Sequence, residues 1–315
     1  MKKYILKRIA IAIPVLIGIT LIDYGLMCLA GSPLDMLTGP RVAEGALEAR
    51  AIAWGLDQPF YIQYFVWLQQ VLTGNLGYST SSFQPVSEMI LSHLGPTVLL
   101  MATSLILSLV ISLPLGIWSA THPYSKRDYG LVTLSFFGTG IPSFFLALVL
   151  IWIFTVQLGW LPSSGMMTLG TGGGFLDVLR HMIMPAIVMT FYLTGINLRY
   201  FRSAMLEVRQ QDYMRTARAK GIGEKQVIWK HGFRNTLLTV ITVIGTEIPL
   251  VFGGSVVVEQ IFSWPGLGLM TMSAINSRDY PVIMGVCLMA AVIVLLINLL
   301  TDILYTLANP TVELK

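Results

Sequence analysis

Long apolar stretches separated by short polar segments dominate the sequence. A helix needs about 20 apolar residues to cross a bilayer, and six stretches meet this requirement. They cover approximately residues 9–30, 96–120, 131–158, 182–198, 236–258 and 282–307. The fourth is the shortest and contains Pro185 and Gly195. The pattern predicts an all-α polytopic membrane protein with six transmembrane helices.

Composition excludes a water-soluble globular domain. Only 11% of the 315 residues are charged and 55% are hydrophobic, whereas soluble domains carry about 25% charged residues. With so little polar surface the chain is expected in lipid. The net charge of +4 is accounted for by basic cytoplasmic loops, so no nucleic-acid partner is expected.

The distribution of Lys and Arg predicts the orientation. With the N-terminus inside, 16 of the 20 basic residues lie in the N-terminal segment, the second loop, the segment 199–234 and the C-terminus. Only Arg41, Arg50, Arg180 and Arg278 fall on the other side. Because cytoplasmic loops are enriched in Lys and Arg, both termini are predicted to be cytoplasmic.

Two regions follow from this topology. Residues 1–95 are predicted to hold the first transmembrane helix and a long extracytoplasmic segment. An aromatic-rich stretch in that segment, residues 60–67, is typical of a helix lying in the membrane interface. Residues 96–310 are predicted to form a five-helix core with a cytoplasmic loop at 199–234.

No enzyme signature is present. The chain has no G-x-x-x-x-G-K-[ST] phosphate loop, no metal-binding spacing of His or Cys and no G-x-S-x-G nucleophile turn. We therefore expect no catalytic residue, no metal and no cofactor in this chain.

The loop 199–234 has an internal order that a merely solvated basic loop does not need. Residues 203–220 are good helix formers without Pro or Gly, and Gly221 and Gly223 then end the helix. A second helical run is predicted at 224–231. Small residues between the charges, Ala217 and Ala219, would let a partner surface approach closely, and the arginines would pair with charges at its rim.

At this loop the sequence resembles a known family. Residues 211–221, QDYMRTARAKG, are similar to the loop that marks permease subunits of ABC importers in the dipeptide, oligopeptide and nickel branch. Arg215, Thr216 and Ala217 occupy the first three places of its E-A-A-x-x-x-G pattern, and Gly221 the last. Further segments similar to motifs of that branch are GLDQP at 55–59, GNLG at 74–77, LGWLP at 158–162, IFSWPGLG at 261–268 and RDYP at 278–281.

The resemblance implies the type I importer permease fold in a bacterial cytoplasmic membrane. It implies a homologous second permease, two ATPases that bind ATP and Mg²⁺, an extracytoplasmic substrate-binding protein and a peptide substrate. The 211–221 helix would then couple this chain to an ATPase, and alternating access would move the substrate. The coupling residues implied are Asp212, Tyr213, Arg215, Ala217, Ala219 and Gly221. A nickel or glutathione importer of the same architecture is the alternative. An ion-coupled secondary transporter is a further class, but the sequence shows no convincing internal repeat.

One acidic residue lies at the middle of a predicted span. Glu247 is the twelfth residue of 236–258, where an ionised group is costly. Thr239, Thr242, Thr246, Pro249 and Gly253 form a small, polar stripe along the same helix, with Glu247 about 100° to its side. Two interpretations stay open. Thr242, Thr246, Glu247, Pro249 and Gly253 line the translocation pathway, or the stripe serves close helix packing around a hydrogen-bonded Glu247.

Overall fold

The computed structural model describes residues 2–30, 58–170 and 173–308, and within these ranges the regular elements are helices. The motif at 55–59 therefore lies mostly outside the described residues. The helices are α1 Lys2–Ala30, α2 Phe60–Leu72, α3 Val86–Thr121, α4 Lys126–Gly140, α5 Ser143–Leu150, α6 Phe175–Arg209, α7 Asp212–Ala219, α8 Glu224–Gln226, α9 Phe233–Ile261, α10 Leu267–Asn276 and α11 Tyr280–Ala308. Two π-helical segments, Ile151–Gln157 and Val227–Gly232, continue α5 and α8.

Four helices in the described part of the chain, α1, α3, α6 and α11, are long and apolar enough to cross a membrane. The helices from Lys126 to Gln157 meet the same criterion only as a pair. The helix α9 covers the predicted fifth span and has 29 residues. The all-helical architecture is confirmed, and the count of six spans stays a prediction.

The predicted third span, 131–158, is not one straight helix. Its two halves meet at a 95° bend. Ile141 has an extended backbone, with φ −78° and ψ 121°, and Pro142 follows it. Proline disfavours the helical conformation of the residue before it, so the apolar stretch continues while the helix axis turns.

The chain divides into two compact units. The first comprises Met1–Gly95 and Leu269–Leu295. Its core includes Tyr24 of α1, Tyr64 of α2 and Met284 of α11. The Thr20 and Tyr64 hydroxyls are hydrogen-bonded at 2.9 Å, so the aromatic-rich stretch predicted as a helix is fastened to α1 by its polar as well as its apolar atoms.

A buried carboxylate organises the loop between α2 and α3 in the same unit. Asp279 accepts hydrogen bonds from the Ser79 hydroxyl at 2.5 Å and from the amides of Thr80 and Ser81 at 3.0 and 3.2 Å. These bonds join two segments 200 residues apart in sequence. The RDYP motif at 278–281 therefore serves to hold this loop.

The second unit comprises Pro96–Gly268 and Leu296–Lys315, and α6 is its central helix. Half of the most apolar stretch of α6 is buried, against 28% for α3. Glycines allow the closest approaches: a Cβ on Gly195 of α6 would lie 2.7 Å from the Ser135 carbonyl oxygen of α4. A Cβ on Gly116 of α3 would lie 2.9 Å from the Phe201 Cβ of α6. Three helices thus meet with nearly touching backbones.

Candidate functional site

The predicted helix at 203–220 consists of two helices separated by a break. The helix α6 ends at Arg209 and α7 begins at Asp212, because Gln211 has an extended backbone with φ −70° and ψ 148°. The break lets Met214 and Ala217 of α7 reach Val227, and all three side chains are buried in one apolar cluster. Tertiary burial here outweighs the helix propensity of the segment.

The C-terminus of α7 is closed by Gly221. The Gly221 amide donates to the Arg218 carbonyl at 2.9 Å, and the Ile222 amide donates to the Ala217 carbonyl at 3.4 Å. With φ +73° at Gly221, this is a Schellman motif, in which glycine adopts the left-handed conformation that other residues avoid. Ile222 packs on the cluster around Ala217, so the helix end is held by both bonds and burial.

An ion pair spans the glycine turn. Arg218 donates from Nε and Nη2 to the two carboxylate oxygens of Glu224, both at 3.0 Å. The Arg218 guanidinium lowers the pKa of the Glu224 carboxyl. Because the pair is partly exposed, its contribution to stability is small, but its forked geometry fixes the angle at which the chain leaves α7.

The remaining predicted coupling residues lie on the outside of α7. Asp212, Tyr213, Arg215 and Ala219 are exposed, as is Gly221 behind them. Arg215 Nη1 lies 3.7 Å from Asp212 Oδ1, and the two side chains are 75% and 96% exposed. Both side chains are therefore accessible to a partner. Ala217 differs: it is buried, and its side chain is not available to a partner. The small side chain of Ala217 instead allows close packing with Met214 and Val227.

Three residues that the sequence pattern did not single out position α7. Met214 and Val227 are fully buried, and a Cβ on Gly232 would lie 2.6 Å from the Met205 Cε and 3.3 Å from the Met214 Cε. Gly232 thus lets the ends of α6 and α7 pack on the π-helical segment. The apolar positions within this charged loop were the available signal.

Glu247 lies inside the second unit, where its partner is Asn197 of α6. The Asn197 amide nitrogen donates to Glu247 Oε2 at 3.1 Å and to the Ser108 hydroxyl of α3 at 3.0 Å. Glu247 is 2% exposed and Asn197 is fully buried. Among the described residues, Glu247 Oε1 and Asn197 Oδ1 have no hydrogen-bond partner. One amide therefore connects the three helices α3, α6 and α9.

The other predicted pathway residues differ from Glu247 in their exposure. Thr242 and Thr246 are exposed on α9 and Pro249 is half-buried. The Thr246 hydroxyl donates to the Thr242 carbonyl at 3.2 Å, which satisfies it within the helix. Gly253 is part of α9, but its surroundings lie outside the described side chains. The structure thus places the two threonines on a surface and Glu247 in the interior.

The segment IFSWPGLG at 261–268 forms a buried turn in the second unit. The carboxylate of Glu259 accepts from the Thr97 hydroxyl at 2.9 Å and from the Gly268 amide at 2.7 Å. Trp264 is fully buried, and its indole nitrogen donates to the Pro96 carbonyl at 2.9 Å. The turn is held against the first third of α3, at Pro96 and Thr97.

Comparison with known proteins agrees with this geometry. Residues 112–314 match the family described as the binding-protein-dependent transport system inner membrane component. The oligopeptide transport system permease protein AppB of Bacillus subtilis is 46% identical, covering 99% of this chain and 100% of that protein. The di/tripeptide transport system permease protein DppB of Pseudomonas aeruginosa is 37% identical, covering 99% of both chains.

A solved structure shares the fold. It is an inward-facing form of the MetNI methionine ABC transporter, matched with a TM-score of 0.56 at 17% identity over 70% of this chain and 96% of that one. At this identity the match speaks for the fold alone. Together with the end-to-end similarity to AppB and DppB, it leads to one conclusion: this chain belongs to the family of inner-membrane components of binding-protein-dependent transport systems, with the fold of a type I ABC permease.

Proposed function

We propose that this chain is the permease subunit of an ATP-driven importer of di- or oligopeptides in a bacterial cytoplasmic membrane. The observation that carries the proposal is α7, a short helix of the second unit whose inner face is buried and whose outer face carries exposed charges and Tyr213. Such a helix can transmit force because its apolar anchors hold it rigidly. The chain has no phosphate loop of its own, so the force comes from separate ATPases.

The docking surface that we propose consists of Asp212, Tyr213, Arg215, Ala219 and Gly221. Charges at its edge would set orientation and association rate, and the aromatic ring and small residues would supply contact area. Ala217 acts from inside by keeping α7 seated on Val227. ATP and Mg²⁺ would bind in the partner ATPases and not in this chain.

The topology that we propose has six spans and cytoplasmic termini. The charge bias of the loops supports this orientation, and it puts α7 on the cytoplasmic side where an ATPase can reach it. The helix α9 and the bent segment of α4 and α5 would complete the six spans. A homologous permease would pair with this chain, and an extracytoplasmic binding protein would deliver the substrate.

Within the proposed pathway, Thr242 and Thr246 are the candidates for contact with substrate, since both are exposed on α9. Glu247 takes a different role, as a neutral hydrogen-bonding group that ties α9 to Asn197. No ion pair to Glu247 is present in the part of the chain that the structure describes, and the neutral form of the carboxyl avoids the cost of an unbalanced buried charge.

The complex with both permeases, both ATPases and the binding protein, reconstituted in liposomes, tests the function. We expect ATP-dependent accumulation of radiolabelled di- or oligopeptides inside liposomes that contain the binding protein. Ni²⁺ and glutathione are the comparison substrates. Uptake of either without peptide uptake, or uptake driven by an ion gradient without ATP, would contradict the proposal.

A further inference from the structure

A buried ion pair joins α4 to α6 near the end of α6 that leads to α7. Arg202 of α6 donates from Nε and Nη2 to the two carboxylate oxygens of Asp128 on α4, both at 2.8 Å. Asp128 is 2% exposed and the Arg202 side chain is 20% exposed. Bidentate pairs of this kind are strong and geometrically specific, because both groups are planar and the fork fixes their relative angle.

Asp128 also organises the turn between α3 and α4. Its carboxylate accepts from the Ser119 hydroxyl and, at 2.8 Å, from the Tyr124 amide. Its own amide donates to the Ser125 hydroxyl oxygen at 3.1 Å, which caps the start of α4. One carboxylate thus holds the end of α3, the turn and the start of α4 as a single piece. Arg202 fastens that piece to α6.

Two arginines attach the last part of α6 to the α3–α4 region, and both lie close to α7 in sequence. Arg202 is two helical turns before Arg209, where α6 ends, and the Arg209 guanidinium donates to the Ala120 carbonyl at the end of α3. Two residues then separate α6 from α7. One residue before Arg202, Phe201 of α6 also packs closely on α3, because a Cβ on Gly116 would lie 2.9 Å from the Phe201 Cβ. We therefore expect a displacement of α7 to reach the α3–α4 turn through the bonds of Arg202 and Arg209 and through the close packing of α3 on α6.

Stability alone is a weak reason for pairing these two charges. Replacing a buried ion pair by apolar residues is often neutral or stabilising, because burial of two charges is costly. A pair of this geometry is useful where two segments must keep one relative position under load. We propose that Asp128 and Arg202 are positioning residues that carry the movement of α7 into α3 and α4 during transport. This inference rests on the proposed function, since it assumes that an ATPase moves α7.

The first experiment measures peptides imported per ATP hydrolysed in the reconstituted complex. The variant Asp128→Asn with Arg202→Gln removes both charges, so that neither is left buried without a partner. We expect this complex to assemble and hydrolyse ATP, but its import per ATP to fall about tenfold, the size of an ordinary coupling term. The matched control is Arg199→Gln, one turn earlier on α6, where the guanidinium lies over the Phe136 ring at 5.1 Å; it should keep the wild-type ratio.

The milder variant Arg202→Lys keeps the charge and loses the fork. It is expected to reduce import per ATP severalfold with normal assembly, and it tests the proposal even where the double variant does not assemble. A wild-type ratio in an assembled Asp128→Asn/Arg202→Gln complex, or in Arg202→Lys, would overturn the inference. Failure of the wild-type complex to import any peptide would instead overturn the proposed function.

A second readout follows the movement itself. Spin labels at Tyr124→Cys and Thr216→Cys, both exposed positions, report the distance between the α3–α4 turn and α7 when Cys28 and Cys287, the free cysteines, are replaced by serine. In the wild-type complex this distance should be the same with and without trapped nucleotide. It should change between the two states in the Asp128→Asn/Arg202→Gln variant. A wild-type distance that changes with nucleotide would also refute the inference.

Discussion

The side-chain amide of Asn197 donates a hydrogen bond to the carboxyl of Glu247 at 3.1 Å, joining α6 to α9 across 50 residues of sequence. The same amide nitrogen bonds Ser108 of α3. Glu247 is therefore part of the packing between helices, and its substitution tests whether it also meets substrate.

Glu247→Gln should leave peptide import within about twofold of wild type, because glutamine has the same shape and can still accept from Asn197. Cationic and neutral peptides should be affected equally. Glu247→Ala should lower the free energy of unfolding by about 1–3 kcal/mol, since the Asn197 amide loses a partner. Uptake assays and thermal unfolding of the purified complex measure the two effects. A loss confined to cationic peptides in Glu247→Gln would place Glu247 in the pathway.

Gly221→Ala should destabilise the end of α7 by about 1–2 kcal/mol, because alanine is strained in the left-handed conformation that Gly221 adopts. Space is not the reason, since a Cβ at either Gly221 or Gly223 would meet nothing within 4 Å. Gly223→Ala is therefore the matched control, with φ −60° and ψ 141°, which any residue adopts. Amide hydrogen exchange over residues 217–223 should rise only in Gly221→Ala. Equal exchange in both variants would show that the glycine conformation is not needed.

Ala217→Leu and Ala219→Leu should separate internal packing from docking. Ala217 is 5% exposed, so a larger side chain would overpack the cluster with Met214 and Val227 and cost about 1–3 kcal/mol. Ala219 is exposed, so its substitution should leave thermal unfolding of the permease unchanged and weaken ATPase binding. Unfolding temperature and ATPase copurification are the measurements. Normal ATPase binding by Ala219→Leu would remove that residue from the proposed docking surface.

Gly266→Ala should prevent correct folding of the turn at 261–268 or destabilise it by at least about 3 kcal/mol. A Cβ there would lie 2.5 Å from the Glu259 carboxyl carbon and would also meet the Thr97 hydroxyl, and both groups are fully buried. Gly130→Ala on α4 is the control, because a Cβ at Gly130 would meet nothing within 4 Å. Membrane yield and thermal unfolding distinguish the two variants. A Gly266→Ala protein as stable as Gly130→Ala would mean that the Glu259 contacts are not needed.

Features encoded locally could be predicted from the sequence. The apolar stretches and the basic loops depend on transfer free energy and charge, which act residue by residue. Gly221, which ends α7, could also be predicted locally, because many helices end with a glycine in the left-handed conformation. The motif at 211–221 then identified the family, which the comparisons with AppB and DppB confirmed.

The partners of buried groups were decided by the tertiary structure. Periodicity along a helix tells which residues share a face, but not which helix that face will meet. The sequence pattern therefore predicted neither the packing of Ala217 on Val227 nor the hydrogen bond between Asn197 and Glu247. Asp128 and Arg202 lie 74 residues apart and give no local signal. The sequence by itself determined the membrane-length apolar stretches and the glycine that ends the helix at 221; only the folded chain decided which side chains hold that helix, because those contacts form between different helices.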